Sequence, residues 1–280
     1  MRTRLFLVAL TAALALSALP VMAASSYSFA RTLTVNGNAD ITIKTGSGKI
    51  SLTTGPAGQV HIVGNIRGGW GASEDRMKEL ADHPPVEQTG HIVEVGTHVR
   101  NLNNISIDYE IQAPAGSTLH ASSGSGSISD EGVGNGAQLS TGSGSIRATG
   151  LQGLVTISTG SGSISADFSG AGEVKAETGS GSIDIHNVHG GLHAQTGSGH
   201  IGVSGTPSAP WQITTGSGGV DVSTGNASFD LNASCGSGGI HSDHEVASRS
   251  SDSKHHLAGK VNGGGPTVRI ETGSGSIHIQ

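Results

Sequence analysis

Four groups of side chains in this sequence have types and spacings that could do chemistry. Asp184 and Asp221 hold equivalent positions in a repeated unit, with one further unit carrying Gly202 between them. Stacked strands would set them about 9 to 10 Å apart, a separation that suits the acid and base of an inverting glycoside hydrolase. Histidines gather at His186, His189, His193 and His200, and again at His241, His244, His255 and His256; imidazoles ligate zinc or copper. Cys235 is the single thiol. Trp70, within Gly68-Gly-Trp-Gly71, is an aromatic platform set in a loop, the kind of residue on which a sugar ring or a partner surface packs.

Each group also has a plainer reading. Polysaccharide lyases and hydrolases need clustered carboxylates or a base beside a lysine or arginine, and two separated aspartates read better as surface residues. The histidines are unevenly spaced, and Ser242 to Lys254 is rich in Ser and Asp, as in a solvated loop, so no metal site and no cofactor is expected. Calcium-binding solenoids need a Gly-Gly-x-Gly-x-Asp pattern, which the sequence lacks. Cys235 occupies a position otherwise held by Thr, which reads as small, inward and inert. Trp70 is left as the ligand-binding candidate.

What must position these residues is a repeat. Copies of Thr-Gly-Ser-Gly-Ser-Ile begin at residues 45, 123, 141, 159, 178, 196, 215, 235 and 272, and from 123 to 235 the steps are 18, 18, 19, 18, 19 and 20 residues. The step from 235 to 272 is 37, close to two periods with a degenerate coil between. Four residues before each start stand apolar residues such as Leu119, Val155, Leu192 and Trp211, and two before stand Ala121, Ile157, Ala194 and Ile213. Five after, the residue is Ile in eight copies and Val220 in the ninth. Polar residues intervene, and this period of two marks half-buried strands. Each copy reads as strand, Gly-Ser-Gly arc, strand and turn, stacked one strand spacing per coil. The Thr column shares the parity of the apolar columns, so it is an inward hydroxyl ladder at the arc rather than a water-ordering face. The outward column six residues after each start holds Arg147, Asp184, Asp221, His241 and His278 among small residues.

Between Thr54 and Pro114 the period lapses. Ser73 to Leu80 reads as a short helix with Ser73 as N-cap and acidic residues in the first turn, followed by strands at His91 to Val95 and Ile105 to Ile111. An open solenoid end is a sticky edge, and this segment is the natural N-terminal cap. Ser276-Ile-His-Ile-Gln280 ends within a strand, which predicts end-to-end self-association through an uncapped C-terminal edge. At the other terminus, Met1 to Ala23 reads as a signal peptide: Arg2 and Arg4, an apolar run from Leu5 to Val21, and Val21 and Ala23 at the −3 and −1 positions. No cysteine follows the expected cleavage and no second apolar segment exists, so the mature chain is expected to be soluble and exported to the periplasm, cell surface or medium.

Composition narrows the classes further. Gly accounts for 46 of 280 residues, aromatics for 3% and charged residues for 13%, a mixture compatible with disorder except that disorder carries no strict period. The net charge of −6, spread along the chain, excludes a nucleic-acid footprint. A lone cysteine forms no internal disulfide, leaving backbone pairing and core stacking to supply stability.

Tyr109-Glu-Ile-Gln-Ala-Pro-Ala-Gly116, the Thr-Gly-Ser-Gly copies, and Gly259-Lys-Val-Asn-Gly-Gly-Gly-Pro-Thr-Val-Arg-Ile-Glu-Thr-Gly-Ser-Gly275 resemble the bacterial adhesin-like β-strand-repeat family, domain of unknown function 4097. The resemblance covers most of the chain after residue 23 and implies an exported or surface-associated β-solenoid, with no catalytic or ligand residues to carry over. The chain departs from the family pattern by placing Ser, Lys, His or Gly where many copies have Asp after Gly-Ser-Gly.

Together these readings predict an all-β parallel β-solenoid of about 18-residue coils with a small α+β N-terminal capping segment. Its divisions are a signal peptide at 1–23, first strands at 24–53, a non-repeating cap at 54–116, and solenoid repeats at 117–280 with a degenerate coil at 241–260. The expected role is a non-enzymatic adhesin or envelope-associated scaffold whose partner is a glycan, cell-surface or envelope component and not a nucleic acid. A carbohydrate-active enzyme on the same fold is the alternative.

Overall fold

Strands with one apolar face bury it most economically by facing another such strand, and here each coil supplies both partners. The computed structural model describes residues 26–100 and 102–280, apart from the side chains of residues 248 and 250–252; the expected signal peptide at 1–23 lies outside the described residues. Two parallel walls face each other across the core. In the first, formed by the strands that precede each arc, Leu119, Ala137, Val155, Val174, Leu192, Trp211, Val268 and Leu231 are successive neighbours in register. In the second, formed by the strands that follow it, the column runs Ile50, Ile128, Ile146, Ile164, Ile183, Ile201, Val220, Ile277 and Ile240. The apolar columns are buried throughout, apart from the half-buried Ile240 at the end. Each buried Ile contributes roughly 1.5–3 kcal/mol relative to exposure. The result is a solenoid-like, nearly all-β molecule with one helix, Glu74–Asp82, among the described residues.

The arc explains why the repeat is so strict. The Thr159 hydroxyl donates to the Gly144 carbonyl of the preceding coil at 2.9 Å and accepts the Gly162 N–H of its own arc at 3.1 Å. Thr141 makes the same pair of bonds with Gly126 and Gly144, and Ser123 with Gly48 and Gly126. Thr178, Thr196, Thr215 and Thr272 continue the donated bond up the stack. The hydroxyl column is thus the inward ladder expected from its parity. The second arc glycine is required by the coil stacked beside it. Gly126, Gly144 and Gly162 lie outside the left-handed region; a β-carbon on Gly144 would instead collide with the Gly126 carbonyl, and one on Gly162 with that of Gly144. Close approach of stacked backbones fixes glycine in these coils, and in the later ones Gly199, Gly218, Gly238 and Gly275 add a positive φ of 120–156° to the same collision.

At both ends the chain order departs from the spatial order. Asp40–Thr45 lies between Thr118–Ser123 and Ile92–Val95, and Ile50–Thr54 between Ile128–Glu131 and Ile105–Ala113. The first coil is therefore overlaid by a later segment, and pairing beyond it turns antiparallel through Gln59–Gly68, Ser26–Thr34 and Val86–Thr89. The helix packs there through Met77 and Leu80, with the Ser73 hydroxyl accepting the Arg76 N–H.

The other end corrects two expectations. Thr267–Ser274 inserts between the strands carrying Trp211 and Leu231, and Ile277–Ile279 inserts between Val220–Ser223 and Ile240–Ser242. The last strand is paired on both sides and is not an open edge, so the proposed route to end-to-end association through it is lost. Residues 241–260 do not form a degenerate coil: Val246–Ser253 and His256–Val261 make an antiparallel hairpin, laid antiparallel on Phe229–Ser237. A 37-residue step that looks like two periods is one coil plus this excursion.

One inward position is polar. Asp130 sits in register between Leu52 and Ala148 and is fully buried. Its Oδ1 accepts the Val133 N–H at 3.3 Å, while Oδ2 has no partner. Burial of the charge pushes its carboxyl up to about 7.

Candidate ligand-binding site

The Trp70 loop leaves the second wall at Gly68 and enters the helix at Ser73. Asn104, with a left-handed φ of 56°, ties it down: its side-chain amide donates to the Trp70 carbonyl at 2.9 Å, and its own carbonyl accepts the Gly69 N–H at 2.7 Å. The Ala72 N–H returns to the Gly69 carbonyl at 3.1 Å. On this anchored loop Trp70 is 97% exposed. An apolar surface of this size held in water by an ordered backbone is available for a partner.

Beside it lies a cavity of about 530 Å³ lined by Gly71, Ser73, Arg76, His98, Arg100 and Asn103. Arg76 is oriented by Glu79 at 2.6 Å and donates to the Arg100 carbonyl at 3.2 Å, and its Nε is buried without a partner. Two arginines, a histidine and hydrogen-bonding amide and hydroxyl groups, with Ile105, make this a polar recess that the Trp70 loop reaches at Gly71. Trp70 was legible in its Gly-rich setting; Arg76, Arg100 and Asn104 were not, because contacts across 24 to 34 residues leave no local pattern.

The other sequence candidates separate. Trp211 is buried, its indole N–H donating to the Gly190 carbonyl at 2.8 Å. Asp184 and Asp221 occupy the same outward column with Gly202 between, and Asp221 faces His200 at 3.4 Å. Cys235 is buried, with its sulfur 3.6 Å from His255 Nδ1. His186 meets Ser204, His193 meets Glu177, His244 meets Thr224 and His256 meets Asn232, so these imidazoles are engaged one at a time. His241 and His278 differ, because both face Asp243.

Comparison with known proteins yields distant likenesses. A candidate adhesin from Bacteroides fragilis aligns at 12% identity over 90% of this chain and 97% of its own, with a TM-score of 0.49. A candidate cell adhesion protein from Clostridium sporogenes aligns at 14% identity over 91% and 99%, with a TM-score of 0.30. A candidate lipid binding protein from Parabacteroides distasonis aligns at 13% identity over 91% and 97%, with a TM-score of 0.33. No curated protein sequence matches the chain. The model of the family described as Toastrack DUF4097 matches residues 31–280, and the chain belongs to that family.

Proposed function

We propose that this chain is an exported, non-enzymatic β-solenoid that serves as an adhesin or envelope-associated binding scaffold, with Trp70 as its principal contact. The observation that carries the reading is the near-complete exposure of Trp70 on an anchored loop. Stacking of a sugar ring on the indole, with Arg76 and Arg100 facing acidic or hydroxyl substituents, gives a recognition mode in which the backbone is pre-organised and little entropy is lost on binding. In this reading the stack of coils of about 18 residues is a stiff support, and the segment 54–116 both caps its N-terminal end and carries the contact surface. Export follows from the expected signal peptide at 1–23, and places the scaffold in the periplasm, at the surface or outside the cell.

The test is binding of the purified mature chain to a glycan panel and to intact bacterial cells. Trp70→Ala should weaken binding at least tenfold, as loss of a central aromatic anchor does, with unchanged melting. Binding of equal strength in the variant would overturn the assignment of Trp70, and turnover of a bound polysaccharide would overturn the non-enzymatic reading.

A further inference from the structure

The insertion of the last strand builds a cluster that lies elsewhere than the Trp70 loop. In Gly239-Ile-His241-Ser-Asp243 the apolar Ile240 points inward, so His241 and Asp243, two residues apart, share the outer face. In Ser276-Ile-His278-Ile-Gln280 the buried Ile277 and Ile279 likewise put His278 and Gln280 outside. These segments are direct neighbours, with Ile240 opposite Ile277 and His241 opposite His278. The Asp243 N–H donates to the Ile279 carbonyl at 2.8 Å, which fixes the aspartate beside both rings. His241 Nε2 is 2.9 Å from Asp243 Oδ1, His278 Nε2 is 3.5 Å from Oδ2, and the ring centroids are 5.1 Å apart. One ligand atom from each residue lies within 4.8 Å of the others.

We infer that His241, Asp243 and His278 form a binding site for a borderline divalent transition metal of the zinc class. Two imidazole nitrogens and one carboxylate oxygen match the donor preference of Zn²⁺, Ni²⁺ and Cu²⁺ and not that of Ca²⁺, which requires more oxygens. Ligands held 2.0–2.1 Å from a tetrahedral zinc stand about 3.3 Å apart; each Nε2 lies near that separation from one Asp243 oxygen, His241 from Oδ1 and His278 from Oδ2, so a small turn of the carboxylate brings a single oxygen to both. The remaining coordination position faces solvent and would be filled by water.

The surroundings favour this set over the other acidic groups. Gln280 Nε2 lies 3.1 Å from His278 Nδ1; with its amide rotated, the Gln280 oxygen accepts an Nδ1–H and leaves Nε2 free to ligate, the outer-shell arrangement common to metal-bound histidine. Glu87, Glu94 and His98 form another three-residue group, but with one imidazole and a 3.9 Å His98–Glu87 separation. A metal at His241, Asp243 and His278 would tie the inserted strand Ile277–Ile279 to the edge strand Ile240–Ser242, stabilising the non-sequential closure of the solenoid. The uneven spacing of the histidines and the Ser- and Asp-rich stretch after His241 gave no sign of a metal site; the strand insertion sets His278, 37 residues on, directly beside His241.

The test is titration of the tag-free, chelator-treated full chain with ZnCl₂, followed by calorimetry and by melting temperature. One equivalent should bind with a micromolar Kd, and a hundredfold excess over Kd should raise the melting temperature by roughly 5 °C or more. His278→Ala and Asp243→Asn should each weaken binding at least tenfold, while His200→Ala, in the neighbouring His200–Asp221 pair, should bind as the wild type does. His241→Ala, at an exposed position on an edge strand, serves as the ligand variant if changes to the inserted strand impair folding. No saturable uptake by the wild type up to 1 mM zinc, or undiminished uptake in His241→Ala, would overturn the site.

Discussion

Between Ser123 and Ser217 each coil rests on the one that precedes it in the chain, whereas at both ends a later segment slips in beside an earlier coil. The middle and the ends use the same inward columns and, Cys235 apart, the same donated hydroxyl bond. Thr272 donates to Gly218, 54 residues back, with the 2.9 Å geometry that Thr159 uses with Gly144, 15 residues back. The repeat thus specifies register towards a neighbour and leaves open which neighbour it will be. Order in the middle comes from short connections, which favour adjacency of consecutive elements. At the C-terminal end the hairpin of Val246–Ser253 and His256–Val261 supplies a longer path, and the final strands return to an inner position.

The largest contrast between the two regions should come from the apolar column. Ile164 is buried between Ile146 and Ile183, and Ile240 is half-buried with a neighbour in its wall on one side. Ile164→Asp should cost roughly 5 kcal/mol or more by burying an unpaired charge, and Ile240→Asp about 1–2 kcal/mol, both read by denaturant unfolding. Equal costs would mean that coils at the end are as tightly held as those in the middle.

Asp130 sharpens the comparison near the first coil. Its carboxyl is held at about 7 against an ordinary 3.8, so the folded state binds the proton more tightly than the unfolded one. The stabilising contribution is fully present below pH 4, declines as pH rises between about 4 and 7, and is gone above that, a loss of up to roughly 4 kcal/mol. Asp130→Asn should therefore gain stability relative to wild type on going from pH 4 to pH 8. A difference between the two that stays constant with pH would contradict a desolvated carboxyl there.

The smallest contrast lies in the ladder. Thr159→Val leaves the Gly162 N–H and Gly144 carbonyl short of a partner and should cost about 1–3 kcal/mol. Cys235, at the same repeat position near the end, has its sulfur 3.9 Å from the Lys254 carbonyl instead, and Cys235→Thr should change stability by no more than about 0.5 kcal/mol. Both values follow from urea unfolding at one pH.

What could be read from the sequence was whatever the period of two and the fixed offset impose: the inward Ile, Val and Thr columns, the buried Trp211, and the helix begun by Ser73. Non-local choices were hidden. His241 and His278 appear in the same outward column, which was the available signal for their meeting, but interchangeable coils gave no reason to place them side by side. The buried Asp130 lies among Leu52, Ala148 and Ala166 in its column and marks a local exception that a polar residue at an inward position does reveal. Around Trp70, the loop's exposure follows from its glycines, while Asn104 and Arg100 reach it only through the fold.

The insertion of the last strands is the central claim, and cross-linking tests it most directly. Ser217 and Ser237 each lie opposite Ser274, which places them on opposite sides of that strand, about 10 Å apart and beyond the reach of a disulfide. In a Cys235→Ser background, the pair Ser217→Cys and Ser274→Cys should oxidise to a disulfide, and the pair Ser217→Cys and Ser237→Cys should stay reduced. Rapid bridging of 217 with 237, with none between 217 and 274, would mean that the coils stack in chain order and would contradict the inserted strand.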